Sequence, residues 1–547
     1  MGLLTRGRRL FHTVRYLRPG QIGWRLWYRV VRPRPRVKLA PPSLGASEAW
    51  VPPIAKPQSQ EGEASFRFLN QVREVRTATD WNDPSRDKLW LYNLHYFDDL
   101  NSEGAAERLE WHASLIERWI TENLPGHGNG WEPYPTSLRI VNWVKWLLAG
   151  HSPTPAMEAS LANQVRWLAR RLEHHILGNH LLANAKALIF AGQYFQGAEA
   201  EGWRRRGGRL LERQVDEQVL ADGGHFERSP MYHHIVLEDL LDIANVLQSR
   251  GGEIPDYLSR AIEEMAKWAE VMSHPDGDIA FFNDATFGIV PGKGPLESYA
   301  SRLGLDWPER ALGSRLLAAS GYARLEYGPW VALVDVAPVG PDYLPGHAHA
   351  DTLSLELSVS GRRVLVNTGI SEYGTGPERS RQRGTAAHNT VCLDGEDSSE
   401  VWAGFRVARR ARVHDLRFDG DGARVEAWHD GYRRLPGKPC HWRSVQLGES
   451  GLDIVDRVEG RGEHHAKGFF MFHPDVQVAA LDEADGFRVE LWGCEPMKLW
   501  VAGADSVWLE DGVAWHPEFG CSLNTRRVVY EVRGVPPFDV QTRLVAS

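Results

Sequence analysis

The spacing of apolar residues changes period once along the chain. Between residues 88 and 320, "AAERLEWHASLIERWITENL", "TSLRIVNWVKWLLAG", "LANQVRWLARRLEHHIL", "HLLANAKALIFAGQYF", "LLERQVDEQVL", "YHHIVLEDLLDIANVLQSR" and "YLSRAIEEMAKWAEVMS" place apolar side chains at i, i+3, i+4 and i+7. That is the stripe of an amphipathic helix, and seven in succession with short connections predict an all-α domain. From residue 321 the period is 2: "WVALVDVA", "LSLELSVSGRRVLVNTG", "ARVEAWHDG" and "SGLDIVDRVEG" alternate apolar and polar residues between Gly-containing turns. Alternation of this kind predicts half-buried strands, so residues 321–547 read as an antiparallel β-sandwich. The expected fold class is multidomain α+β, with residues 1–87 forming a basic arm and a Pro-rich linker ahead of it.

Composition fits this outline. At 547 residues, 42% hydrophobic and 24% charged, the chain is too long for one core and has a globular make-up. A formal net charge of −8 gives no reason to expect nucleic acid as a partner. The four cysteines, Cys392, Cys440, Cys494 and Cys521, form no CxxC pair and read as buried or free thiols.

Local charge adds more. Residues 1–38 hold eleven Lys/Arg and no Asp/Glu, interleaved with aromatics in "RRLFHTVRYLRPGQIGWRLWYRVVRPRPR". The segment lacks the unbroken apolar stretch and small-residue cleavage site of a secretory signal, which predicts a location in the cytoplasm or at the inner membrane face. Two readings of the arm stay open: peripheral contact with an anionic membrane, or a helical arm packed on the body. Residues 33–63, rich in Pro, Ser and Gly, read as a linker that wraps or spaces.

Several polar clusters exceed what the periodicity needs. In "LGNHLLANAKAL", Asn179 suits a helix cap but His180 does not need to be there. In "DGGHFERSPMYHHIVLEDLL", a Gly-rich turn carrying His225, Glu227 and Arg228 leads through Pro230 to Tyr232, His233 and His234 at one helix start. In "GNGWEPYPTSLRIVNWVKW", Trp131 and Glu132 with Arg139 offer the aromatic faces and charged edges of a sugar groove. "GHAHADTLSLEL" puts His347, His349 and Asp351 on one side of an extended segment. The long loop "NTGISEYGTGPERSRQRGTAAHNTVCLDG" carries Arg379, Arg381, Arg383 and His388, and planar guanidinium forks suit oxyanions.

In this order the clusters resemble the heparinase II/III-like polysaccharide lyases, on the strength of "GNHLLANAKAL", "DGGHFERSPMYHHIVLEDL", "GHAHADTLSLEL", "RVLVNTGIS" and "RGTAAHNTVCLDG" across roughly residues 90–440. The resemblance implies an incomplete (α/α) toroid joined to a β-sandwich, with the cleft between them. It implies β-elimination at a uronic acid in an anionic polysaccharide, giving a 4,5-unsaturated product. It assigns Asn179 and His180 to the substrate carboxylate, with His180 a base for one stereochemistry. Tyr232 would be the acid at O4 and a possible base, and His347 would complete the site. Trp131, Glu132, Arg139, Glu227, Arg381 and Arg383 are expected at the substrate.

Some members carry a structural zinc at positions matching His349, Asn367 and His388. Asn367 stands where the pattern has aspartate, which leaves a dication without a compensating charge unless Asp351 or Asp394 is brought close. Three rival readings follow from the same residues: a metal-dependent hydrolase built on His-x-His-x-Asp, a glycoside hydrolase using Glu132 and Glu227, and a glycan-binding or exopolysaccharide assembly protein that keeps the fold without turnover.

Overall fold

The computed structural model describes residues 3–35, 37–310, 312–481 and 486–546. Met1, Gly2 and Arg36 of the basic arm lie outside them. The arm forms α1 (Leu3–Val14) and α2 (Pro19–Val30), followed by an extended segment and a small antiparallel sheet of Gln60–Gly62, Ser65–Phe68 and Gln71–Glu74.

The helical part comprises α3 (Lys88–Tyr96), α4 (Leu109–Glu122), α5 (Pro133–Leu148), α6 (Pro155–Leu168), α7 (Gly178–Tyr194), α8 (Gly197–Gln218), α9 (Pro230–Gln248), α10 (Asp256–Met272) and α11 (Lys293–Arg302). One apolar core rich in tryptophan joins these helices, with Trp81, Trp90, Trp119 and Trp143 fully buried. α7 is hydrophobic nearly all round, as a helix enclosed by α5, α8 and α9 must be.

The β part opens with a five-stranded antiparallel meander: Arg315–Leu317, Tyr322–Tyr327, Trp330–Asp335, Leu355–Val359 and Arg362–Leu365. An eight-stranded sheet and a four-stranded sheet follow, and their inner faces share a second core with the meander. The connection after Leu365 carries α12 (Pro377–Arg383). The order, a helical region followed by antiparallel sheets, is what the two periods predict and agrees with the toroid-plus-sandwich order that the resemblance implies.

The periodicity misses α3 and α11 and the first half of α8. In α8, Ala200, Trp203, Gly207 and Leu210 are buried at helical spacing, but "GAEAEGWRRRGG" is too polar and Gly-rich for the stripe to stand out. α6 ends at Leu168, short of the predicted 177. The chain turns there because the Glu173 backbone N–H donates to Asn184 Oδ1 (2.8 Å), which brings Glu173 back onto α7.

Of the two readings of the Pro-rich stretch, wrapping is the one observed. The stretch lies on the helices, with the Lys38 N–H on Asn163 Oδ1 (3.1 Å) and the Leu44 N–H on the Tyr194 carbonyl (2.8 Å).

Candidate active site

α7 begins on two residues in the left-handed region, Leu177 (φ 74°) and Gly178 (φ 61°). A Cβ on Gly178 would lie 2.6 Å from Glu227 Oε1 and 2.5 Å from Leu344, so only glycine lets the backbone come this close. The approach allows the Asn179 N–H to donate to Glu227 Oε1 (3.3 Å). The His180 ring lies tilted against that of Tyr134 (4.3 Å between centroids), and its Nδ1 lies 3.0 Å from Glu173 Oε1. Burial opposes a charge on His180, but Glu173 outweighs it and the pKa is raised.

Ser229 caps α9 by accepting from the Tyr232 N–H (3.2 Å), and its hydroxyl donates to the Asp284 carbonyl (2.5 Å). Asp284 is the hub of the cluster. Its carboxylate meets His347 Nδ1 (2.8 Å), His349 Nε2 (2.8 Å) and both terminal nitrogens of Arg379, one of them at 2.7 Å. Burial alone would raise its pKa, yet Arg379 and the two histidines hold it well below the usual carboxylate range. An ionised Asp284 only accepts, so His347 donates from Nδ1, and its neutral form carries the lone pair on Nε2.

The His347 ring stacks on Tyr232 at 3.9 Å, and its Nε2 lies 3.5 Å from Glu227 Oε2. That carboxyl oxygen is buried and has no hydrogen-bond partner among the described residues, and burial raises the Glu227 pKa. The Tyr232 hydroxyl is 3.1 Å from that of Tyr373. Burial first, then Tyr373 and Asp284, push the Tyr232 phenol well above its ordinary value, so at neutral pH it is a proton donor.

Tyr134, Tyr232 and Tyr373 line a cavity of about 360 Å³. Its wall follows α9 from Tyr232 to Asp242, eleven residues or about 15 Å of helix. Asn179, His180 and His347 stand beside this cavity and are not among its walls. Its cations are already engaged: Lys56 with Glu238, Lys145 with Asp242, Lys186 with Asp239 and Asp242, and Arg67 with Glu61.

The four residues expected to be catalytic are thus brought to one place, and Glu227 lies among them. Three expected substrate contacts are corrected. Trp131 is core, packed on Trp119 at 5.7 Å. Arg139 is fully buried and donates to Gln164 and to the His95 and Gly130 carbonyls. Arg383 is buried and spends its guanidinium on the Ala348 and Gly404 carbonyls. Arg381 is half exposed and paired with Glu378, and Glu132 is held by Lys88 and Tyr92; neither lines the cavity. Asp284, Tyr373 and Glu173 were not singled out by sequence reasoning.

The metal expectation is also revised in its third ligand. His349, Asp351 and His388 are buried, with donor atoms all within 4.8 Å of one another. Asn367 is occupied elsewhere, accepting from the Asn389 N–H (3.1 Å), and Asp394 pairs with His464. His349 Nδ1 and His388 Nε2 face each other at 3.1 Å, while their other nitrogens are committed to Asp284 and to the Gly384 carbonyl. Burial lowers the pKa of both rings, His349 to about 4, so two imidazole lone pairs converge beside a carboxylate. That donor set fits a divalent cation such as zinc, with Asp284 as the outer carboxylate orienting His349.

Comparisons with known proteins bear on the family and the fold. The family pattern described as Heparinase II/III N-terminus matches residues 116–289, and the pattern described as Heparinase II/III-like, C-terminal matches residues 309–543. FtsZ-localized protein C of Caulobacter vibrioides (strain NA1000 / CB15N) is 27% identical over 501 residues, covering 85% of this chain and 82% of that protein. The heparin-sulfate lyase of Bacteroides stercoris is 30% identical over 419 residues, covering 70% of this chain and 60% of its own length. The crystal structure of heparinase III superposes with a TM-score of 0.66 at 15% identity, covering 98% of this chain and 93% of that one. The heparan sulfate lyase of Pedobacter heparinus gives a TM-score of 0.57 at 20% identity, covering 88% and 81%. Matched in both its helical and its β part, the chain belongs to the heparinase II/III-like family.

Proposed function

We propose that the protein is a polysaccharide lyase that cleaves a uronic-acid-containing glycan by β-elimination. The observation that carries this reading is the stacked Tyr232–His347 pair, a neutral phenol against an imidazole whose Nδ1 is fixed by Asp284. His347 Nε2 takes the C5 proton, the C4–O4 bond breaks as the C4=C5 double bond forms, and Tyr232 gives its proton to the departing O4. His347 then returns a proton to Tyr232 through solvent. The Asn179 amide, His180, whose protonated form Glu173 favours, and Glu227, whose neutral carboxyl burial favours, are suited to hold the C5 carboxylate and stabilise the enolate-like charge. A metal at His349, Asp351 and His388 would brace the loop and take no part in these proton transfers.

The substrate is an anionic uronate glycan of low sulfation, because the cavity's cations are neutralised by carboxylates. A panel of sulfated and unsulfated uronate polysaccharides, read by the near-UV absorbance of the unsaturated product, tests both statements. Absorbance with an unsulfated uronate, lost in Tyr232→Phe, supports elimination. Hydrolysis to a saturated product overturns it.

The likeness to FtsZ-localized protein C, which spans more of this chain than the likeness to the B. stercoris lyase, favours a second reading: a glycan-binding assembly protein without turnover. Binding of a uronate glycan with no absorbance change across the panel would favour it.

A further inference from the structure

We propose that the outer face of the N-terminal helix pair docks on an anionic lipid bilayer. α2 has two faces with different tasks. The inner one packs on the body: Gln21 donates to the Tyr343 carbonyl (3.3 Å), Trp24 stacks on His174 (4.9 Å), and the Tyr28 hydroxyl donates to the Leu172 carbonyl (2.7 Å). The outer one leaves Ile22, Leu26 and Val30 exposed at i, i+4 and i+8, Leu26 by 57% and Val30 by 82%, with Trp27 beside them at 53%. α1 continues this pattern. Its Thr13 hydroxyl donates to the Val407 carbonyl (3.3 Å), while Phe11 is 65% exposed and Leu10 46%.

A water-facing helix would not spend these positions on large apolar groups. The surrounding charge identifies what covers them. Arg8, Arg25, Arg29 and Arg32 are exposed, and residues 1–38 contain no acidic residue. Two copies of so cationic a face repel each other, which disfavours self-association, and a soluble polyanion needs no apolar stripe. An acidic headgroup layer over acyl chains satisfies both features: the stripe enters the interface, tryptophan sits at headgroup depth, and arginines meet the lipid phosphates.

This surface is independent of the lyase chemistry, so it is tested by binding alone. The full chain is sedimented with vesicles of phosphatidylcholine alone and of phosphatidylcholine mixed with phosphatidylglycerol. Sedimentation with the mixed vesicles only, weakening as salt rises, is the expected result. The Leu26→Asp/Trp27→Asp and Arg25→Glu/Arg29→Glu variants, altered on the outer face and unchanged in circular dichroism, should each lose about tenfold or more in partitioning. Equal partitioning of the variants and the parent, or no preference for the anionic vesicles, overturns the proposal. So does concentration-dependent dimerisation in light scattering that Leu26→Asp/Trp27→Asp abolishes, since it would make the face a contact between copies.

Discussion

Two buried aspartates in this molecule have almost the same company and opposite fates. Asp284 receives His347, His349 and a two-pronged Arg379. Asp456 receives His441 Nε2 (2.7 Å), a two-pronged Arg443 (2.7 and 2.9 Å) and the Tyr530 hydroxyl (2.8 Å). Against the cost of burial, Arg443 and His441 hold Asp456 below the carboxylate range, as Arg379 and the histidines do for Asp284. The difference lies in the far side of the imidazole. His441 turns its other nitrogen to buried His429 (3.3 Å) inside the sandwich, whereas the His347 side chain keeps 14% of its surface exposed and faces Glu227. On the proposed mechanism, a carboxylate clamp becomes chemistry only where one imidazole edge meets an opening.

The largest test of this contrast is turnover. Tyr232→Phe and His347→Ala should lower kcat by about 10²–10⁴-fold with little change in melting. His441→Ala should destabilise the fold and leave the rate per folded molecule intact. Rates measured on the folded fraction decide it, and a dead His441→Ala would erase the distinction.

Next come the arginines. Arg379→Ala and Arg443→Ala each strand a buried carboxylate, so each should cost about 3–5 kcal/mol in urea titrations, but only Arg379→Ala should also remove the activity of the molecules that remain folded.

A smaller effect concerns His180. Its raised pKa means that its cation is present at low pH and disappears as pH rises through the folded value. KM for a uronate substrate should therefore climb on the alkaline side. Glu173→Gln removes the raising partner and should move that limb to lower pH, in a KM–pH profile at fixed ionic strength. An unmoved limb would detach His180 from carboxylate binding.

The smallest expected change in rate follows metal removal. Chelation should lower stability by about 3 kcal/mol and leave the rate per folded molecule nearly unchanged, and elemental analysis should find His388→Ala metal-free. A rate that collapses while the fold persists would make the cation part of the chemistry.

Much of this was legible in the sequence, for reasons that particular residues make plain. The switch from period 3.6 to 2 reports the two cores directly, because each period is the imprint of one buried face. His180, Tyr232 and His347 stand out because helix starts and strand leads have no structural need for them, and Asn179, which a cap alone would explain, gains weight from its neighbour His180. Asp284 had no such signal: "FFNDATFG" is not periodic and carries no charge beyond Asp284 itself, and its partners lie 63 to 95 residues away. Arg379, Arg381 and Arg383 look equivalent in a loop, but α12 turns Arg379 and Arg383 inward at i and i+4 and leaves Arg381 outside. Trp131 and Arg139 misled because aromatic and cationic residues together describe a sugar groove and a tryptophan core equally well. Asn367 was taken from a motif position, and the loop geometry supplied Asp351 instead.

The contacts of the arm with Tyr343 bear on how the molecule is handled. Arg18 lies over the Tyr343 ring at 3.6 Å and pairs with Glu217, which also accepts from the Tyr343 hydroxyl (2.6 Å). Tyr343 stands four residues before His347. A chain shortened to begin in the Pro-rich stretch, the natural cut for anyone seeking a better-behaved protein, would release the segment that carries the proposed base. Its inactivity would be a broken brace and would say nothing about whether the intact protein turns over.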